Sequence, residues 1–239
     1  MELELKKECL DTYEPGEPQT LTQEETTETI VPDYCPDIAR IISAEGAVYL
    51  HGGAEQEGLS GTVRVTVLYT PENETGVRAL EFALPFTAQG EGLSDCTHVA
   101  AETEIELLES RMLNPRKIFT RCKLVTHLTG YRKVCLSLSS DVETLPEQRV
   151  EKRCCGQAAT LLRQIAEKDL TFSETMSLSL GREGAAELLH CRTSGTVTET
   201  KVIGNKLIFK GVFLVSVLYR TTGGQLASAS SELPFSQIM

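Results

Sequence analysis

The sequence predicts a mainly β protein, with tandem antiparallel domains of sandwich or barrel-like form and short helices. One observation behind this is a repeat: residues 61–69 read GTVRVTVLY and return at 211–219 as GVFLVSVLY, an offset of 150 (211 − 61). A second lies just after each copy. A turn rich in Gly, Thr and Asn leads to a segment ending Leu84-Pro85-Phe86 in one case and Leu233-Pro234-Phe235 in the other, offset 149 (235 − 86). The third is alternation of apolar with polar side chains, which puts one row of residues on each face of a sheet. A period near 150 is too long for a solenoid unit and fits two copies of a whole domain.

Taken in order, residues 1–30 are acidic, threonine-rich and partly alternating, which suggests extended segments. Two prolines, Pro32 and Pro36, then bracket a turn, and Ile38, Ile41 and Ile42 at i, i+3, i+4 predict a short helix closed by Gly46. In 61–69, Val63, Val65, Val67 and Tyr69 share one face; Phe213, Val215, Val217 and Tyr219 keep that parity in the second copy. Residues 71–76 read as a hairpin loop and 77–86 as the return strand. A further hairpin turns at Asn114-Pro115, with Thr103, Ile105 and Leu107 on one arm and Ile118, Cys122, Leu124 and Leu128 on the other.

Residues 158–168 have helical spacing through Leu161, Leu162 and Ile165. The expected organisation is a first β domain with an N-terminal extension at 1–132, a linker with a short helix at 133–168, and a second, incomplete β domain at 169–239. In that second unit 170–176 parallels the run before Val31, 185–189 parallels 38–42, and Gly195-Thr196-Val197 parallels Gly46-Ala47-Val48. Nothing then matches the hairpin at 97–131. A β domain without that hairpin would expose an edge and part of its core. The sequence leaves open a truncated fragment, completion by N-terminal or linker strands, and completion by another chain.

The 239 residues carry 23 basic and 34 acidic side chains, net −11, which argues against nucleic acid or an anionic membrane as partner. No apolar run approaches the roughly 20 residues of a membrane span, and the N-terminus has no secretory-signal pattern, so a cytoplasmic protein is expected. The eight cysteines show no metal-ligand spacing and are expected to be free thiols.

No phosphate-binding loop, dinucleotide fingerprint, zinc-protease helix or serine-nucleophile elbow occurs, so no catalytic, cofactor or metal residues are assigned. His190-Cys191 and the set Asp33, Cys35, Asp37 could be drawn as ligands. The aspartates fit better as turn and helix-start residues. Charge is unevenly spread: 111–133 holds seven basic residues and no acidic one, whereas 14–45 holds eight acidic residues and only Arg40. Those segments either face each other within one domain or offer a partner-binding surface, with Arg116, Lys117, Arg121 and Lys123 as its candidates.

The proline turn and apolar segment at 31–42, followed by 61–69 and Leu84-Pro85-Phe86, together resemble the SPOCS domain of clostridial spore proteins of the SipL type. The resemblance covers one full copy from about 20 to 132 and the start of a second from about 169. It implies a β-rich, tandemly repeated, non-enzymatic scaffold of the spore envelope that links the morphogenetic ATPase SpoIVA to the developing forespore, made in the mother cell. Self-association is the partner mode that the charge distribution offers, by head-to-tail pairing of the basic and acidic segments between copies. The chain has no LysM segment, and 180–184 lacks the prolines of the first turn. A carbohydrate-binding β module for wall or cortex is the alternative; the absence of Trp and a 5% aromatic share give it little to stack on sugars.

Overall fold

The computed structural model describes residues 4–51, 58–143 and 184–239, together with 158–167 and isolated positions between 151 and 175. Among the described residues the regular structure is all strand: β1 (Glu4–Pro15), β2 (Gln19–Ile30), β3 (Ile38–Leu50), β4 (Leu59–Pro71), β5 (Arg78–Ala88), β6 (His98–Asn114), β7 (Lys117–Glu143), β8 (Ala185–Ile203), β9 (Lys206–Thr221) and β10 (Leu226–Ile238). They form three antiparallel sheets.

The long strand β7 is the spine of the first sheet. Along one edge its first half pairs with β2, Ile30 opposite Lys117, and its second half with β1, Glu4 opposite Glu143. Along the other edge its first half pairs with β6. Even-numbered residues of β7 from Ile118 to Leu128 all face inward and are buried, including Thr120 and Thr126. Those hydroxyls are satisfied across the ladder by Ser110 (2.8 Å) and Thr103 (3.0 Å).

The β3–β4–β5 sheet closes over this face. Val63, Val65, Val67 and Tyr69 of β4 are fully buried, and with Leu80, Leu84 and Phe86 of β5 they pack on Ile118, Cys122 and Leu124 of β7, flanked by Ile105 and Leu108 of β6. The alternation in 61–69 and 118–128 therefore encodes the two inner faces of one sandwich.

The third sheet, β8–β9–β10, copies the second in strand order and in register. Gly61 lies opposite Phe86 and Gly211 opposite Phe235; Gly46 lies opposite Val65 and Thr193 opposite Val215. Even the β-bulges recur, between Ile38/Arg40 and Ile41/Ser43 in β3 and between Ala185/Glu187 and Leu188/His190 in β8, 147 residues on (185 − 38). By this ladder the counterpart of Gly46 is Thr193, and Gly195 stands where Val48 stood, two residues from the alignment the glycines alone suggest.

Several expectations are corrected. Residues 36–42 do not form a helix: β3 begins at Ile38, and the bulges bring Ile38, Ile41 and Ala44 to the same core. No helix forms within 158–167 either; that stretch lies along β1, where Leu162 O accepts hydrogen bonds from Tyr13 N (2.8 Å) and Thr12 Oγ1 (3.1 Å). The strand β7 extends to Glu143. Finally, Cys9 and Cys135 are disulfide-bonded across the β1–β7 ribbon, while Cys35, Cys96, Cys122 and Cys191 are free thiols. Cys154 and Cys155 lie outside the described residues.

Candidate partner-binding surfaces

Arg116 sits in the β6–β7 turn and reaches back to the proline turn. Its Nη1 donates to Cys35 O (2.8 Å) and Asp37 Oδ1 (3.0 Å), its Nη2 to Val31 O (2.9 Å) and Asp33 Oδ1 (3.1 Å). Backbone bonds beside it, Val31 N to Arg116 O and Ile38 N to Pro115 O, hold the same junction. A planar fork with several donors is the side chain that can satisfy two carbonyls and two carboxylates at once. Asp33 and Asp37 are thus engaged by a guanidinium, which answers the reading of Asp33, Cys35 and Asp37 as metal ligands.

The other three basic candidates meet acidic residues of the same chain: Lys117 with Glu28, Arg121 with Glu24 (2.6 Å) and Lys123 with Glu106 (2.8 Å). The ladder explains the pairing. Ile30 opposite Lys117, Glu24 opposite Lys123 and Thr26 opposite Arg121 align the acidic strand β2 with the basic strand β7. The uneven charge along the sequence is largely cancelled between neighbouring strands. These three pairs stay partly exposed.

The two copied sheets meet through charge. Glu187 of β8 receives Arg78 of β5 (2.9 Å) and Arg220 of β9 (2.6 Å), and His190 of β8 pairs with Glu45 of β3 (3.2 Å). Arg40 holds the position in β3 that Glu187 holds in β8, so the first copy has no carboxylate equivalent to Glu187 at this contact. His190 and Cys191 are successive residues of a strand and point to opposite faces, so they do not converge. Cys9, Asp11 and Cys135 are close enough to ligate a metal, but the two sulfurs bond each other and Asp11 pairs with Lys133 (2.9 Å).

Buried groups have shifted acidities. Burial, reinforced by Glu25, pushes the Cys122 thiol up to about 11. Burial and the neighbouring Cys35 push Tyr69 up to about 12, and its hydroxyl donates to Pro36 O (3.4 Å). Both shifts favour the neutral form and suit core positions rather than proton transfer.

The inner face of β8–β9–β10 is covered in part, with Val217 and Tyr219 at 7% and 3% exposure. Leu84 and Phe86 are 3% and 4% exposed in the first copy; their counterparts Leu233 and Phe235 are only half-buried. Leu188 and Val197 on the same sheet are 61% and 55% exposed.

These features define a class: a mainly β protein made from a duplicated three-stranded antiparallel sheet, one copy enclosed in a sandwich and the other covered only in part among the described residues. Residues 185–239, which form β8, β9 and β10, match the family model described as SipL, SPOCS domain, so this part of the chain is similar to the SPOCS domain of a sporulation-related family. Residues 38–88, with the same strand order, register and bulges, are its structural copy. Neither the curated proteins nor the solved structures give a match to the chain.

Proposed function

We propose that the chain is a non-enzymatic assembly module of the bacterial spore envelope, acting as a scaffold through protein–protein contacts during sporulation. The observation that carries this is the set of exposed apolar side chains along β8 in the part that matches the SPOCS family, Leu188, Val197, Val202 and Ile203, because uncovered apolar surface is characteristic of a site of association. A SpoIVA-like morphogenetic ATPase and a second copy of the chain are the proposed partners, with the mother-cell side of the forespore surface as the place of action. Lys117, Arg121 and Lys123 are proposed contacts at the rim of such a complex, where a partner's carboxylates would compete with Glu28, Glu24 and Glu106. Arg116 is committed to the proline turn and has a structural part in this reading.

The test is binding of purified protein to the purified ATPase by sedimentation, together with localisation of a fluorescent fusion in sporulating cells. Recruitment to the forespore and a saturable complex are expected. A fusion that stays diffuse and a chain that binds neither the ATPase nor itself would remove the reading.

A further inference from the structure

The ribbon made by β1 and the second half of β7 draws little on the core. Among the described strands β1 pairs with β7 alone. Thr12 is the one buried residue between Leu5 and Pro15, and residues 131–142 of β7 include none. A two-stranded antiparallel ribbon of this kind is marginal in water unless something else holds it. Here the Cys9–Cys135 disulfide does, joining residues 126 apart in the chain.

Both cysteines lie on exposed positions, unlike Cys122, which is sealed in the sandwich. The bond runs diagonally, because the ladder sets Cys9 against Ser137 and Cys135 against Asp11. Lys7 and Lys133 each precede a bonded cysteine by two residues and share its face of the ribbon. Asp11 shares that face too and is engaged by Lys133 (2.9 Å). Two cations beside one carboxylate favour a sulfur that leaves as thiolate. An exposed disulfide in such surroundings is of the labile kind, open to attack without unfolding of the chain.

We propose that Cys9 and Cys135 form a thiol–disulfide exchange site whose co-reactant is a low-molecular-weight thiol, and that its state decides whether β1 stays on β7. An external thiolate attacks one sulfur, the S–S bond breaks, and the other sulfur leaves with the bonding pair and takes a proton from water. A second external thiol then displaces the first from the mixed disulfide. The chain gains two electrons and two protons, and the two external thiols become one disulfide. Once reduced, β1 is left with the ladder and the two hydrogen bonds to Leu162 O. The sandwich does not depend on it, since neither buried cluster contains a residue of β1. Reduction therefore frees the edge of β7 between residues 131 and 143 while the rest of the fold stands.

The experiment equilibrates the full chain in buffers of dithiothreitol and its oxidised form. Free thiols are trapped with an alkylating agent and located by mass spectrometry, and hydrogen exchange is followed in the same samples. Cys9 and Cys135 are expected to become reactive together in the folded chain as the buffer turns reducing. Exchange in β1 and at 131–143 should then quicken by about tenfold or more, with β4 unchanged. The double variant Cys9→Ser, Cys135→Ser should exchange like the reduced chain in every buffer. A bond that yields only when β4 also exchanges overturns the proposal, because it would then be a fixed cross-link. So do equal rates in β1 for the oxidised and reduced chain, and a double variant that still responds to the buffer. None of these outcomes depends on whether the chain binds the ATPase.

Discussion

Gly61 lies directly across the ladder from Phe86, and Cε1 of the phenylalanine ring is 2.6 Å from where a Cβ on residue 61 would stand. The same holds for Gly211 and Phe235, at 2.7 Å. The recurring glycine and the recurring Leu-Pro-Phe are thus two halves of one contact, a ring covering a bare stretch of backbone. The proline between them is tolerated because β5 and β10 are the outer strands of their sheets.

Gly61→Ala should destabilise the first unit by about 1–3 kcal/mol, because the ring has to leave its place in a filled core. Combining it with Phe86→Leu should recover part of that loss, so the double-mutant cycle in urea gives a coupling rather than a sum. Additive losses would show that the ring does not depend on the glycine.

Arg116→Ala removes four bonds between the β6–β7 turn and the 31–37 turn and leaves the carbonyls of Val31 and Cys35 without their donors. A loss of about 2–4 kcal/mol is expected by chemical denaturation. Arg116→Lys keeps the charge but not the fork and should restore less than half of it.

Alkaline pH should weaken the sandwich. The unfolded chain releases the Cys122 proton near its ordinary value of 9.0, whereas the folded chain holds it to about 11. The unfolded state therefore ionises first, so this contribution is complete below pH 9 and is lost as pH rises to 11. Tyr69 adds a similar loss between 10 and about 12. Each is on the order of 2 kcal/mol. Denaturation midpoints from pH 8 to 11 check this, and Cys122→Val should remove the lower part of the slope.

Glu187→Gln takes away the anion shared by Arg78 and Arg220. The junction between the copied sheets should loosen by about 1 kcal/mol, and less at high salt, since these groups are partly exposed. Faster hydrogen exchange at the start of β8, with β4 unchanged, is the expected signature.

Alternation made the β-rich class legible, because a strand with one buried face must place apolar residues at every second position; Val63 to Tyr69 and Ile118 to Leu128 do so. The repeat was legible for the same reason. The segment at Ile38 to Ala44 was not. Two bulges within a few residues each insert one extra residue, so Ile38, Ile41 and Ala44 reach one core at intervals of three and imitate a helical face. Nothing local distinguishes that spacing from a helix; only pairing with β4 does. The ion pairs of the charged candidates were not legible either, since Arg116, Lys117, Arg121 and Lys123 look like an unpaired basic patch until β2, β6 and the proline turn are brought beside them. Which residues alternate, where the chain turns and that it is duplicated can be read along the chain, because these depend on local chemistry. Which strand covers which face and which charges cancel emerge only in the folded molecule, because those depend on partners distant in the chain.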